Sequence, residues 1–581
     1  MGIRRGRWFV AGALLLAVVA WGLHAAAEVG AAADDAGALR GRLERTLDLD
    51  APLDLLEDEA RGELEEIEHE LTLVAARLDQ PSLTPLRWLP VTSRQLAAAE
   101  HQLSAAITTL DIVGSLADVA DAVEADLTDP GRRVAALDRL AAATADAATR
   151  LRAVELGPDE ALVGPLAQGR VELAGHLSEA ADLLEEGTRT IEAAATLADG
   201  PSRYLVLAAN NAQMQNGSGM FLSAGRLDLV DGRVELGAMT SLTDLPLPSD
   251  PVELPSHLAD RWGWLDPNRD WRHLGLSPRF PETAELAAEM WEAATGEHID
   301  GVIAVDVFVL AELLGVSGPV EVDGLVFDSE TAVELLTNGQ YLHFFGDGRF
   351  DRDAQADRRE LLSQVADAVL TELLTELDVE VLRALRDAGA GRHLTIWSAD
   401  AELQRTWGEL GLTGELTPDS MLLSIINRSG NKLDWFLRSH ATVEIVEGTE
   451  TDEVIVTVRV RNTAPEDGQP RYVVGPYHGS GLDAGEYLGV VALTLPADAT
   501  DGRVDGVESL AVVGSEGPSN RVVGAWIELD RGTSTELTFR FDVPADRSTM
   551  TIEPSARTHP TRWTTPDGTN LRDRRAQSLD W

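Results

Sequence analysis

Three textures of apolar and polar positions follow one another along the chain. From about residue 34 to residue 199 the sequence is rich in Ala, Leu and Glu, and its apolar positions fall at helical spacing. Leu64, Ile67, Leu71, Val74 and Leu78 recur at alternating steps of three and four, a coiled-coil-like seam. Thr92 and Gln95 have the spacing of a capping box, with Val91 and Leu96 where a hydrophobic staple belongs. Asp129 before Pro130 predicts an N-cap and a first helical residue. Gly157-Pro158 marks a break before a helix that runs toward Leu197. The pattern predicts an antiparallel bundle of about four helices, a stalk whose charges form a solvated face.

At DGPSRYLVLAANN the texture changes. Tyr204 to Ala209 is a short apolar run between turn residues, as in a buried strand. It leads into NNAQMQNGSGMFLSAG, Asn210 to Gly225. A turn needs about two to five residues, and this stretch of amides, glycines and small hydroxyls is far longer. Such a stretch approaches a ligand, with Asn210 and Asn211 as amide donors, or packs against backbone where only small side chains fit. GRLDLVDGRVELGAM alternates around Asp231-Gly232, a hairpin signal. A helix from near Pro281 to Gly296 follows, then the strand IDGVIAVD ending at Asp306, the helix VFVLAELLG, and the strand pair GPVEVDGLVF. A long amphipathic helix comes after FFGDGRFDRD, and HLTIWS and SMLLSIIN add two more strands. Alternating strands and helices predict a layered α/β domain over 200–432. From 433 to 555 the strands alternate between Gly, Pro and Asp turns, which predicts a β-sandwich. The polar end, 556–581, is expected to be an irregular tail.

The first residues add a membrane element. Arg4, Arg5 and Arg7 precede an apolar run over 8–27 that only His24 interrupts. About twenty apolar residues span a bilayer, and the basic flank stays in the cytoplasm. The expectation is a cytoplasmic tip and transmembrane helix over 1–30, the stalk over 31–199, and a single-pass protein of the cell membrane whose bulk is extracytoplasmic. The competing reading is a signal peptide cleaved at HAAAE; the length of the run favours the anchor.

Composition narrows the function. There are 48 Lys+Arg against 97 Asp+Glu, a formal net charge of -49. Phosphate backbones would be repelled, so nucleic acid is excluded as a partner. The chain has no cysteine, which removes disulfides, thiolate catalysis and Cys-ligated zinc. Lys432 is its only lysine. No Walker loop, HExxH or Gly-x-Ser-x-Gly occurs.

Two arginine groups carry the chemistry. Arg349, Arg352, Arg358 and Arg359 surround a loop that leads into a helix, together with Asp351, Asp353 and Asp357. Guanidinium groups bind phosphate oxygens bidentately. Asp351 and Asp353 are candidate oxygen ligands for a divalent cation such as Mg²⁺, with no cofactor established. The alternative is a self-neutralising surface cluster of Arg–Asp pairs. Arg261, Arg269, Arg272 and Arg279 interleave with Trp262, Trp264 and Trp271 in a second group, which suits a phosphate or sugar site or a packed lid. Asp306 ends a buried strand, where it either serves a site or caps the next helix.

The stretches RYLVLAANNAQMQNGSGMFLSAG, LSPRFPETAELAAEMWEAATGEHIDGVIAVDVFVLAELLGVSGPVEV and NRSGNKLDWFLRSHATVEI, with PLRWLPVTSRQLAAAEHQL upstream, resemble a bacterial domain family of unknown function, the one numbered 4012, over most of the chain. That resemblance implies an actinobacterial-type, membrane-anchored extracytoplasmic protein. More distantly, IDGVIAVDVFVLAELLGVSGPVEVDG and GDGRFDRDAQADRRELLSQVADAVL resemble the LytR–CpsA–Psr family, which transfers glycans from polyprenyl pyrophosphate carriers to the cell wall. That likeness implies pyrophosphate contacts from Arg352, Arg358 and Arg359 and a phosphoglycosyl transferase-like activity. Gln215 and Gly217-Ser218 stand where that family's arginine and acidic pair are expected, so a metal-binding aspartate is missing there. The expected function is an envelope protein that binds a polyprenyl-phosphate glycan or wall polymer, with transfer left open. The alternative is a non-catalytic structural or adhesion protein with a relic α/β core.

Overall fold

The computed structural model describes residues 58–78, 87–249, 252–346, 352–375, 379–476 and 480–581. The expected membrane segment, 8–27, lies outside them. The chain forms two compact units, one ending at Pro201 and one made of most of the remainder.

The first unit is helical, with α1 (Asp58–Leu78), α2 (Pro90–Thr128), α3 (Pro130–Arg152) and α4 (Gly164–Asp199). Its core is built from Leu and Ala, including Ile67, Leu71, Leu103, Ala106, Ala148, Leu173 and Ala180. Alanines let the helices approach closely at little entropic cost. Asp129 caps α3 as its sequence implies, accepting from Gly131 N at 2.9 Å. The capping box does not form. Helix α2 already starts at Pro90, which needs no donor partner at the first helical position. Gln95 instead holds the 161–163 loop, donating to Ala161 O at 2.8 Å and accepting from Val163 N at 2.9 Å. Among the described residues, α2 is the one helix long and apolar enough to cross a membrane. Its apolar positions line the bundle core, and a buried core helix meets the same criterion.

In the second unit, β1 (Ser202–Met214) lies between β2 (Gly219–Val230), antiparallel, and β5 (Gly301–Val305), parallel. The edges are β3 (Arg233–Leu236) beside β2 and β8 (Leu394–Ser398) beside β5, with the short β4 (Thr240–Ser241) also on β2. Asp231 and Gly232, at φ 50° and 77°, make the tight turn between β2 and β3. Helices α5 (Ser256–Trp262), α6 (Phe280–Thr295) and α7 (Val307–Ser317) follow in this mixed α/β layer, with the hairpin β6 (Val320–Val322) and β7 (Leu325–Phe327). Then come α8 (Gln340–Phe345), α9 (Arg352–Thr375), α10 (Val379–Ala390) and α11 (Ala401–Glu409).

Two six-stranded sheets form the C-terminal sandwich. One runs β13-β16-β11-β10-β18-β19 and the other β14-β15-β12-β9-β17-β20. Their strands are β9 (Ser420–Asn427), β10 (Leu437–Val446), β11 (Thr451–Asn462), β12 (Tyr487–Leu495), β13 (Thr500–Val504), β14 (Val512–Glu516), β15 (Asn520–Leu529), β16 (Ser534–Pro544), β17 (Thr549–Ile552), β18 (Arg562–Thr564), β19 (Asn570–Arg572) and β20 (Gln577–Asp580). Two placements differ from the sequence reading. The run SMLLSIIN, expected in the α/β layer, is β9, a central strand of the sandwich. All eight of its residues are buried because both faces are covered. Met421, Leu423 and Ile425 face the opposite sheet, while Ile426 joins Val490, Ala492, Val512 and Val522 against the α/β layer. The expected tail supplies β18, β19 and β20, since Trp563 and Leu579 reach the sandwich core.

Candidate anion-binding site

The amide-rich stretch after Ala209 proves to be the seam between the α/β layer and the sandwich. Asn210 Nδ2 donates to Tyr341 Oη at 2.7 Å, and its Oδ1 accepts from Ala212 N at 2.9 Å. Asn211 Nδ2 donates to Asp306 Oδ2 at 2.6 Å and to Ala556 O at 2.9 Å. Met214 N donates to Asp434 Oδ2 at 3.1 Å. Gln215 accepts from Arg428 Nη2 at 2.7 Å and donates to Arg272 O at 3.0 Å. Buried amides need such partners, and the amide nitrogens of Asn210 and Asn211 find them, while Asn211 Oδ1 and Asn216 Oδ1 accept from none of the described residues. The glycines serve close approach. A Cβ on Gly219 would stand 2.6 Å from Asn210 C and 2.8 Å from Asn210 O.

Beside this seam two cations are buried together. Arg358 on α9 is 6 % exposed and Lys432, in the loop after β9, is 3 % exposed. Arg358 lies 5.6 Å from the centroid of the Tyr341 ring and donates from Nη1 to Gln340 Oε1 at 2.8 Å. Lys432 donates to Gln213 Oε1 at 2.5 Å, and its amine is 6.0 Å from the centroid of Tyr472. Tyr341 and Tyr472 are 5.4 Å apart and line the same place. Among the described residues no carboxylate forms an ion pair with either cation; both donate to neutral amide oxygens. Burial, then the positive charge of Arg358, pushes the Lys432 amine down to about 7, with Asp434 pulling the other way. Burial pushes the Tyr341 phenol up to about 12, against Arg358. Asp434 is engaged elsewhere, by Asn427 at 2.7 Å, Arg557 at 3.3 Å and Tyr487 at 3.3 Å. Burial raises it despite Arg557. Guanidinium, amine and phenol ring lie together here, with Asp434 engaged elsewhere, and such donors are of the kind that bind anions.

The strand-helix part of this site falls within a recognised domain. Residues 199–341 match the family described as "Protein of unknown function (DUF4012)". The match takes in the amide-rich stretch, Asp306 and Tyr341, and ends before Arg358 and Lys432. It is narrower than the resemblance over most of the chain, and it gives the LytR–CpsA–Psr likeness no support. No curated protein and no solved structure is significantly similar to the chain.

The other nominated residues are spread out. Arg349 and Asp351 lie outside the described residues, and of Arg352 only the helical backbone is described. Arg359 pairs with Asp244 at 2.8 Å on the surface. Arg272 folds back on Asp270, and Arg279 pairs with Glu415 and with Glu282 at 3.6 Å. Asp353 is exposed in the first turn of α9, and among the described residues no three acidic or histidine side chains gather as a metal site. In the Arg/Trp loop Trp262 is fully buried and Arg261 pairs with buried Glu516 at 2.6 Å, so much of that group is core.

Asp306 caps a helix and also holds a histidine. Its Oδ1 caps α7, accepting from Phe308 N at 2.8 Å, and its Oδ2 accepts from His393 Nδ1 at 2.7 Å. The imidazole stacks on Phe308 with centroids 4.1 Å apart. His393 and Lys432 escaped sequence reasoning. The lone lysine was a visible signal; the histidine, more than eighty residues from its partner, carried none.

Proposed function

We propose that the protein is an extracytoplasmic envelope protein, held to the membrane by its N-terminal apolar segment, that binds the phosphate of a polyprenyl-phosphate glycan or wall polymer at Arg358 and Lys432. The observation that carries this reading is the burial of Arg358 and Lys432 together with, among the described residues, no carboxylate paired to either, in a chain of net charge -49. Acidic side chains are abundant, yet among the described residues none pairs with either group. An unpaired buried charge is costly, and a bound anion removes that cost. The leader sequence supports the location, with arginines before an apolar run of spanning length.

The test is affinity for vesicles carrying a dialkyl diphosphate lipid. Arg358→Ala loses a charge-assisted contact worth about 1.5–3 kcal/mol, which is about tenfold or more in affinity. Added salt should weaken binding by the native protein more than by the variant. Equal affinity of the two proteins would contradict the reading.

A further inference from the structure

Positive charge in this chain is carried by arginine everywhere except at Lys432. Arginine cannot be deprotonated in a protein, whereas a buried lysine readily loses its proton. Every charged or titratable group around this amine bears on which state it takes. Arg358 faces it from α9, and Tyr341 and Tyr472 from α8 and the 471–474 turn. From its own turn comes Asp434, which Arg557 and Tyr487 already engage. Among the described residues its hydrogen-bond partner is Gln213 Oε1, which is neutral and suits an amine in either state. With the site empty, burial and Arg358 both oppose a second positive charge, and the amine sits near the point where it gives up its proton. A negative charge arriving beside it reverses that balance.

Resting on the anion-binding reading above, we propose that the site selects a phosphate group bearing two negative charges, as in a diphosphate diester, and that Lys432 completes it by taking up a proton from solvent as the ligand enters. A dianion is matched by Arg358 and a protonated Lys432 together. A singly charged phosphodiester is matched by Arg358 alone and leaves the amine neutral.

The experiment is calorimetric titration of the full-length protein with dimethyl diphosphate, a dianion with no ionisation of its own near pH 8, in buffers of different ionisation enthalpy. A second arm uses vesicles carrying a dialkyl diphosphate lipid, which separates a soluble from a membrane-borne source. The expected result is uptake of about one proton per bound dianion at pH 8, falling toward none at pH 6, where the amine is already protonated. Dimethyl phosphate should bind more weakly and without uptake. K432R, which cannot exchange its proton, should bind the dianion with no uptake at either pH; if that variant does not fold, the pH 6 and pH 8 comparison on the native protein decides. Binding of the diphosphate with no proton uptake at pH 8 overturns this inference and leaves the anion-binding reading standing. Failure of both arms to bind overturns the reading itself, and the inference with it.

Discussion

Replacing Lys432 with methionine should change how stability depends on pH, and the size of the change can be worked out. Met keeps the unbranched stem and removes the ionisable amine. In the fold that amine is lowered to about 7 by burial and Arg358, against an ordinary value of 10.5. Below pH 7 it is protonated in both folded and unfolded chains, and above 10.5 it is neutral in both. Between those limits the unfolded chain holds one more proton, so stability rises with pH. The slope approaches about 1.4 kcal/mol per pH unit, and between pH 7.5 and 9.5 the rise attributable to Lys432 is about 2.5 kcal/mol. K432M should lack this rise. It should therefore be more stable than the native protein at pH 7.5, and the advantage should shrink by about that amount at pH 9.5. Denaturant unfolding followed by tryptophan fluorescence is the assay, because Trp262, Trp291 and Trp563 are buried in the second unit. Taking the difference between the two proteins cancels the other titrating groups. Parallel pH profiles would show that Lys432 keeps its charge in the fold and would refute the reasoning.

Gly219→Ala should cost about 1–3 kcal/mol by overpacking, since the new Cβ meets only backbone atoms of Asn210, at 2.6 to 2.9 Å. An unchanged denaturation midpoint would show that the amide-rich stretch is not packed as a seam. Arg261→Met should destabilise by about 1–3 kcal/mol at about pH 7, because the buried Glu516 carboxyl loses its hydrogen-bond partner. Glu516 is raised to about 8 by burial against the pull of Arg261, so below that pH the carboxyl is protonated in both proteins, and the loss should grow above about pH 8, where the native pair holds the ionised form and the variant does not. A loss that does not vary with pH, followed by the same fluorescence assay, would contradict this.

Local elements were legible where one principle decided them. The Asp231-Gly232 turn needs two residues at positive φ and has the residue types that tolerate it. Asp129-Pro130 and Asp306 carry their capping in their side chains. What could not be read was which sheet a fully apolar strand joins. SMLLSIIN is buried on both faces wherever it lies, so its pattern holds no orientation. The candidate site failed to show for a related reason. Arg358 and Arg359 are neighbours in one motif, yet one step of the helix turns the first into the protein and the second out to Asp244. Lys432 and His393 meet their partners across 219 and 87 residues of chain, a distance no local pattern spans. The amides of the seam are compatible in sequence with a ligand surface as well as with self-packing, and the sandwich seated against them shows that they pack within the protein.

The most direct test of the central claim uses the single lysine. Full-length protein labelled with ¹³C-lysine gives one side-chain Cε signal, that of Lys432, whose position reports the charge of the amine. At pH 8, adding dimethyl diphosphate should move that signal toward its protonated position, and Arg358→Ala should abolish the movement at the same ligand concentration. A Cε signal that stays in place while excess diphosphate is added would show that no anion enters the site.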